Sequence, residues 1–131
     1  MSKGYTMIEL VVVIILIGIL SAVAVPRFEK RIELAEIKNE KDFTYTLWEE
    51  LEVYAEEQKE LTGIETWPEH PLSVLGRTRN VIVTYNLGVP DEDNEWQFDG
   101  TKLYHRRMNN EIWYFEYNPN TFFLSEHPTK L

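Results

Sequence analysis

The chain has 131 residues with a formal net charge of −9, 44% hydrophobic and 13% aromatic residues, and no cysteine. That length holds one domain with at most one appended element, and the composition excludes intrinsic disorder. The acidity argues against a generally nucleic-acid-binding surface, and the missing cysteines exclude disulfides, thiolate metal sites and thiol catalysis.

The first element is Tyr5–Val25, YTMIELVVVIILIGILSAVAV, whose 21 residues carry one charge, Glu9. At about 1.5 Å per residue it makes a helix of roughly 31 Å, matching a hydrocarbon core of about 30 Å. Leu10–Val25 holds twelve Leu, Ile or Val residues. These contribute roughly −4 to −7 kcal/mol to insertion, against ~3 kcal/mol at most for one acid. The segment is therefore predicted to cross a membrane. A secretory signal peptide fits poorly, because its apolar stretch is shorter and its basic part stronger. An ionisable residue inside such a span is a functional candidate that needs a partner.

Lys3-Gly4-Tyr5-Thr6-Met7-Ile8-Glu9-Leu10, with the apolar run continuing to Pro26, resembles the prepilin cleavage motif of type IV pilins and type II secretion pseudopilins. The resemblance covers about Met1–Phe28. It implies that a membrane prepilin peptidase cuts after Gly4 on the cytoplasmic side and methylates the new amine of Tyr5. It also implies that Glu9 neutralises the N-terminal amine of a neighbouring subunit during assembly. The chain boundaries expected from it are a leader at 1–4, a membrane and assembly helix at 5–25, an amphipathic continuation at 26–62, and a connector with antiparallel sheet at 63–131. The implied partners are the peptidase, other pilin or pseudopilin subunits, an inner-membrane assembly platform, and membrane lipid before assembly. The implied location is a single-pass inner-membrane protein with a cytoplasmic N-terminus, later built into a pilus or pseudopilus.

Arg27, Lys30 and Arg31 follow the span, against Lys3 and the amine before it. The positive-inside rule by itself favours the opposite orientation. The motif takes precedence, because cleavage requires a cytoplasmic Gly4. Pro26 is expected to kink the helix by removing a backbone donor and crowding the preceding turn.

Helical periodicity resumes with Phe28, Ile32 and Ala35, then Phe43, Leu47, Leu51, Tyr54 and Leu61. Glu36, Glu40 and Lys41 read as i,i+4 partners on a wet face. One helix is predicted from about Tyr5 to Leu61, stopped by Thr62-Gly63. Beyond it, β-rich runs at Val81–Tyr85, Trp96–Phe98, Lys102–His105, Ile112–Tyr117 and Thr121–Leu124 are punctuated by Asp99-Gly100 and Asn118-Pro119-Asn120. The expected fold class is α+β, a pilin fold with a long N-terminal helix packed on a small antiparallel meander.

A search for chemistry finds no metalloprotease motif, phosphate loop or nucleophile elbow, so the chain does not read as an enzyme. His70, His105 and His127 are scattered, and His105 is expected at the surface or half-buried. Asp91, Asp93 and Glu95 are the metal candidates, a solvated acidic turn with calcium as its alternative reading; no other cofactor is implied. Arg106-Arg107, with Arg77, Arg79 and Lys102, is a candidate basic patch. The leading reading is a filament subunit. A minor pilin or pseudopilin is favoured over a major pilin, because common major pilins close a loop with a disulfide. The alternative is a minor pilin that binds DNA for uptake or adheres to surfaces.

Overall fold

The computed structural model describes residues 4–75, 83–84 and 89–131. Helix α1 spans Met7–Thr62, with Pro26 inside it. Its C-terminus is closed by Gly63, at φ 81°, whose N–H donates to the Lys59 carbonyl at 2.8 Å. Glycine reaches that left-handed cap without a Cβ penalty, which is why the helix stops where Thr62-Gly63 predicts.

Contacts divide the chain into two compact units, Met1–Asn39 and Glu40–Leu131. Within the first unit the helix is apolar on every face from Leu10 to Val25. Its large side chains from Leu10 to Val25 are all exposed, from 47% at Val12 to 68% at Leu20. The helix is long and apolar enough to cross a membrane, and no described residue covers that stretch.

The second unit builds a core on one face of α1. Leu47, Leu51 and Ala55 are buried against Trp67 and Leu72 of the connector and against the sheet residues Trp96, Phe98, Leu103, Phe115, Tyr117 and Leu124. Leu61, expected on this stripe, is 79% exposed, because the face loses its cover after Ala55. A short 3₁₀ turn, Pro71–Val74, seats Leu72 in the core.

The strands are β1 (Val83–Thr84), β2 (Trp96–Phe98), β3 (Lys102–Arg106), β4 (Ile112–Asn118), β5 (Phe123–Leu124) and β6 (Thr129–Lys130). β2, β3 and β4 form the expected antiparallel meander. β5 and β6 share the far edge of β4, one at each end. β1 departs from expectation by pairing parallel to β2. The rest of the Val81–Tyr85 run lies outside the described residues.

The β2–β3 turn follows from Asp99-Gly100. Only Gly100 takes positive φ, 104°, as the first central residue of a type II′ turn does. Asp99 Oδ1 accepts from the amides of Thr101 and Lys102 at 2.8 and 2.7 Å, and Oδ2 accepts from the Tyr104 hydroxyl at 2.9 Å. Burial raises the Asp99 carboxyl, but these donors more than offset it and hold it below the usual value.

A charged cluster lies inside this unit. Glu40, His105 and Arg107 are only 3%, 4% and 4% exposed. Glu40 Oε2 accepts from His105 Nδ1 and Arg107 Nε, both at 2.9 Å, and Oε1 accepts from Arg107 Nη2 at 3.2 Å. His105 Nε2 pairs with the Asn94 side-chain amide at 3.0 Å. The His105 ring stacks on Trp96 at 4.4 Å, and the Arg107 guanidinium sits over Trp113 at 4.2 Å. Glu40 is therefore not on a wet face, and His105 is not at the surface. The register places Trp96 and Trp113 on either side of His105, closing it off from water. Burial pushes the Glu40 carboxyl up, and the hydrogen bonds and charges of His105 and Arg107 outweigh it, so its pKa lies below 4.5.

Replacing Glu40 with Ala leaves three buried N–H donors on two side chains unmatched, a loss of roughly 3–5 kcal/mol. In a fragment beginning at Phe28 this should lower Tm by more than about 10 °C in a thermal melt. The folded-state pKa of Glu40 is depressed, so its contribution is complete above pH 4.5 and is lost as pH falls through the folded value. Acid titration should therefore destabilise the wild-type fragment below that pH, and Glu40→Gln should show a shallower acid limb.

Candidate functional site

The N-terminus of α1 is organised by the residues that carry the cleavage motif. Thr6 is the N-cap: its Oγ1 accepts from the Glu9 amide at 3.2 Å, while Glu9 Oε2 accepts from the Thr6 amide at 3.1 Å. This reciprocal pair is a capping box, legible in the spacing Thr6-x-x-Glu9 but absent from the reading above. It explains why the helix begins at Met7 rather than at Tyr5. Glu9 also lies in the first helical turn, where the positive end of the helix dipole favours a carboxylate. Gly4 and Tyr5 precede the helix in non-helical backbone, and Tyr5 is 90% exposed. The motif thus presents an accessible peptide bond, an aromatic residue and a fixed carboxylate, followed by a bare apolar cylinder.

The acidic stretch before β2 is arranged differently from a cation site. Glu95 is 3% exposed and its Oε2 accepts from the amides of Asp91 and Glu92, both at 3.1 Å. Asp91 and Asp93 face solvent. Among the described residues no three acidic or imidazole groups converge as a metal set.

The expected basic patch is dispersed. Arg107 points inward to Glu40. Arg106 donates to the Asp91 carbonyl and the Asn110 side chain, each at 2.8 Å, and lies 3.8 Å from Asp93. Lys102 sits over the Tyr114 ring at 4.3 Å. Arg77 and Arg79 lie outside the described residues. The doublet fails as a patch because alternate strand residues face opposite ways, and Arg107 takes the inward direction.

Residues 1–25 match the family model of the prokaryotic N-terminal methylation motif. The chain is also 40% identical over 65 residues to the type IV narrow pilus major component PilA5 of Thermus thermophilus. Over those residues it is a distant homologue of that pilin. Type IV pilins are structural, non-enzymatic proteins, and the long apolar helix followed by a small, largely antiparallel sheet is consistent with the pilin fold. The match covers 50% of this chain and 53% of the relative, so the chain spans about half the length of the pilin it matches. No solved structure matches the chain.

Because Glu95 is committed to backbone donors, millimolar calcium should leave the Tm of the fragment from Phe28 unchanged. A rise of several degrees, reversed by chelator, would show that the acidic stretch binds the ion.

Proposed function

We propose that this chain is the precursor of a structural subunit that a type IV pilus machine cleaves, methylates and polymerises. The observation that carries this reading is the conjunction at one helix end. An accessible Gly4–Tyr5 bond precedes a fixed Glu9, which precedes an apolar helix that no described residue covers.

In this reading the peptidase removes residues 1–4 and methylates the Tyr5 amine. Gly4 suits the step, because a residue without a side chain passes easily into a crowded cleft. Before assembly the apolar helix lies in inner-membrane lipid, with the head outside. On assembly, neighbouring helices replace the lipid. A charged amine and a carboxylate are each costly in that environment unless paired. Glu9 of one subunit meets the amine of the next, which fixes the register between them. The capping box supports this role, because it holds the carboxylate at the helix entrance in one conformation while using only Oε2. Pro26 supplies a turn that lacks the backbone bond to Ala22, so the helix can adjust there as it packs.

The relative is a major component of its pilus, which weighs toward a pilus over a secretion pseudopilus. It lends nothing to the minor-subunit preference drawn from the missing cysteines. Arg107 is buried and Arg106 engaged, so these two residues lend no support to the DNA-uptake alternative.

Glu9→Ala should leave membrane insertion intact while cutting incorporation into sheared filaments a hundredfold or more. An unmatched buried partner costs roughly 3–5 kcal/mol per contact. Glu9→Gln should be intermediate. Thr6→Ala breaks the cap alone, at about 1 kcal/mol, and should assemble nearly normally. Equal defects in Thr6→Ala and Glu9→Ala would assign Glu9 to helix capping rather than to assembly.

A further inference from the structure

Two sets of charged groups make no ion pair among the described residues. Arg27, Lys30 and Arg31 follow the apolar segment at i, i+3 and i+4, which places them on one helix face, with Leu34 next along it. All four are exposed, Leu34 to 57%. Among the described residues none of the three cations takes part in an ion pair. Their position is also unfavourable in itself. If the N-terminus is cytoplasmic, three cations on the far side oppose the orientation that insertion prefers. Such a cluster needs a compensating contact.

The complementary set lies in the second unit. An open groove of about 540 Å³ runs between the α1 face carrying Asp42, Tyr45 and Trp48 and the segment Leu124–His127. Tyr45 and Trp48 are 67% and 41% exposed, unusual for aromatic side chains beside a core. The carboxylates of Asp42 and Glu126 are exposed and, among the described residues, make no ion pair. One turn further along the same helix face, Glu49 and Glu52 extend the acidic border. Lys41 is the one Lys or Arg among the groove's lining residues.

Aromatic faces beside carboxylates make a receptor for a guanidinium or ammonium group: the ring supplies cation–π attraction and the acid a charge-assisted hydrogen bond. The chain already uses this chemistry internally, where Arg107 lies between the Glu40 carboxylate and the Trp113 ring. We propose that the groove receives the Arg27–Lys30–Arg31 turn of a second copy of this chain. The cations meet Asp42, Glu126 and the rings, and Leu34 covers part of the exposed Trp48 surface. This contact rests on the assembly reading above and deepens it. Parallel subunits staggered along a filament bring the lower helix of one beside the head of another. The two contacts then divide the work: Tyr5 with Glu9 fixes register inside the apolar core, and the basic turn with the aromatic groove fixes it outside.

The absence of native cysteine makes a direct test available. The full-length chain carrying Lys30→Cys and Ser125→Cys, expressed in place of the wild type, is oxidised in sheared filaments and run without reductant. A ladder of dimers and higher multimers is expected, at least tenfold above either single variant. In a second arm, Arg27→Glu with Arg31→Glu should lower the subunit recovered in filaments on the order of tenfold. Asp42→Lys with Glu126→Lys, added to the same chain, should restore it. Filaments that contain the double-cysteine subunit but give no ladder would overturn the proposal and leave the assembly reading intact. Failure of the reversed charges to rescue would do the same. Wild-type subunit missing from the sheared fraction would remove the assembly reading, and this proposal with it.

Discussion

Among the described residues nothing covers the apolar helix surface from Leu10 to Val25, and the rest of the molecule answers to that fact. Its twelve large aliphatic side chains are each about half exposed or more. At about 25 cal/mol per Å² such a surface cannot stay in water. It can lie in lipid or against copies of itself, and a filament subunit needs both states in turn. Uniform apolarity suits this exchange, since lipid tails and neighbouring helices are similar surroundings. What uniform apolarity cannot supply is register, because greasy cylinders slide past one another at little cost. In the proposed assembly the charged groups at the two ends of the segment supply it.

The head solves a different problem. With α1 covered only from Glu40 to Ala55, its core is small, and aromatic residues supply much of it. The Glu40–His105–Arg107 cluster adds a polar element to this interior, tying the start of the covered face to β3 and the residue after it. An ion pair of this kind is worth little as net stability, because desolvation cancels most of its Coulomb energy. Its value is directional. A purely apolar contact would tolerate rotation of α1 against the sheet, whereas three hydrogen bonds onto one carboxylate fix it.

Much of this was legible in the sequence where a single residue type forces a local geometry. Gly63 and Gly100 mark backbone turns that other residues enter at a cost, and the helix end and first hairpin fall there. The apolar segment declares itself by length alone. The Glu40 cluster was not legible, because Glu36, Glu40 and Lys41 form a conventional exposed helix pattern and nothing local says that Glu40 faces a sheet. The same holds for Arg107, whose inward direction depends on strand register. β6, two residues long, carries too little pattern to stand out. Thr6-x-x-Glu9 was legible as a helix start, because its spacing alone sets up the two reciprocal hydrogen bonds.

The central claim is that Gly4–Tyr5 is a processing site and the apolar helix is retained in the mature subunit. Intact-mass analysis of the protein from the membrane fraction of its native host tests it most directly. The account requires a chain beginning at Tyr5, heavier by one methyl group than the unmodified Tyr5–Leu131 sequence. A chain beginning within Ser21–Pro26 would mean that the apolar segment is an ordinary signal peptide, and would contradict the account.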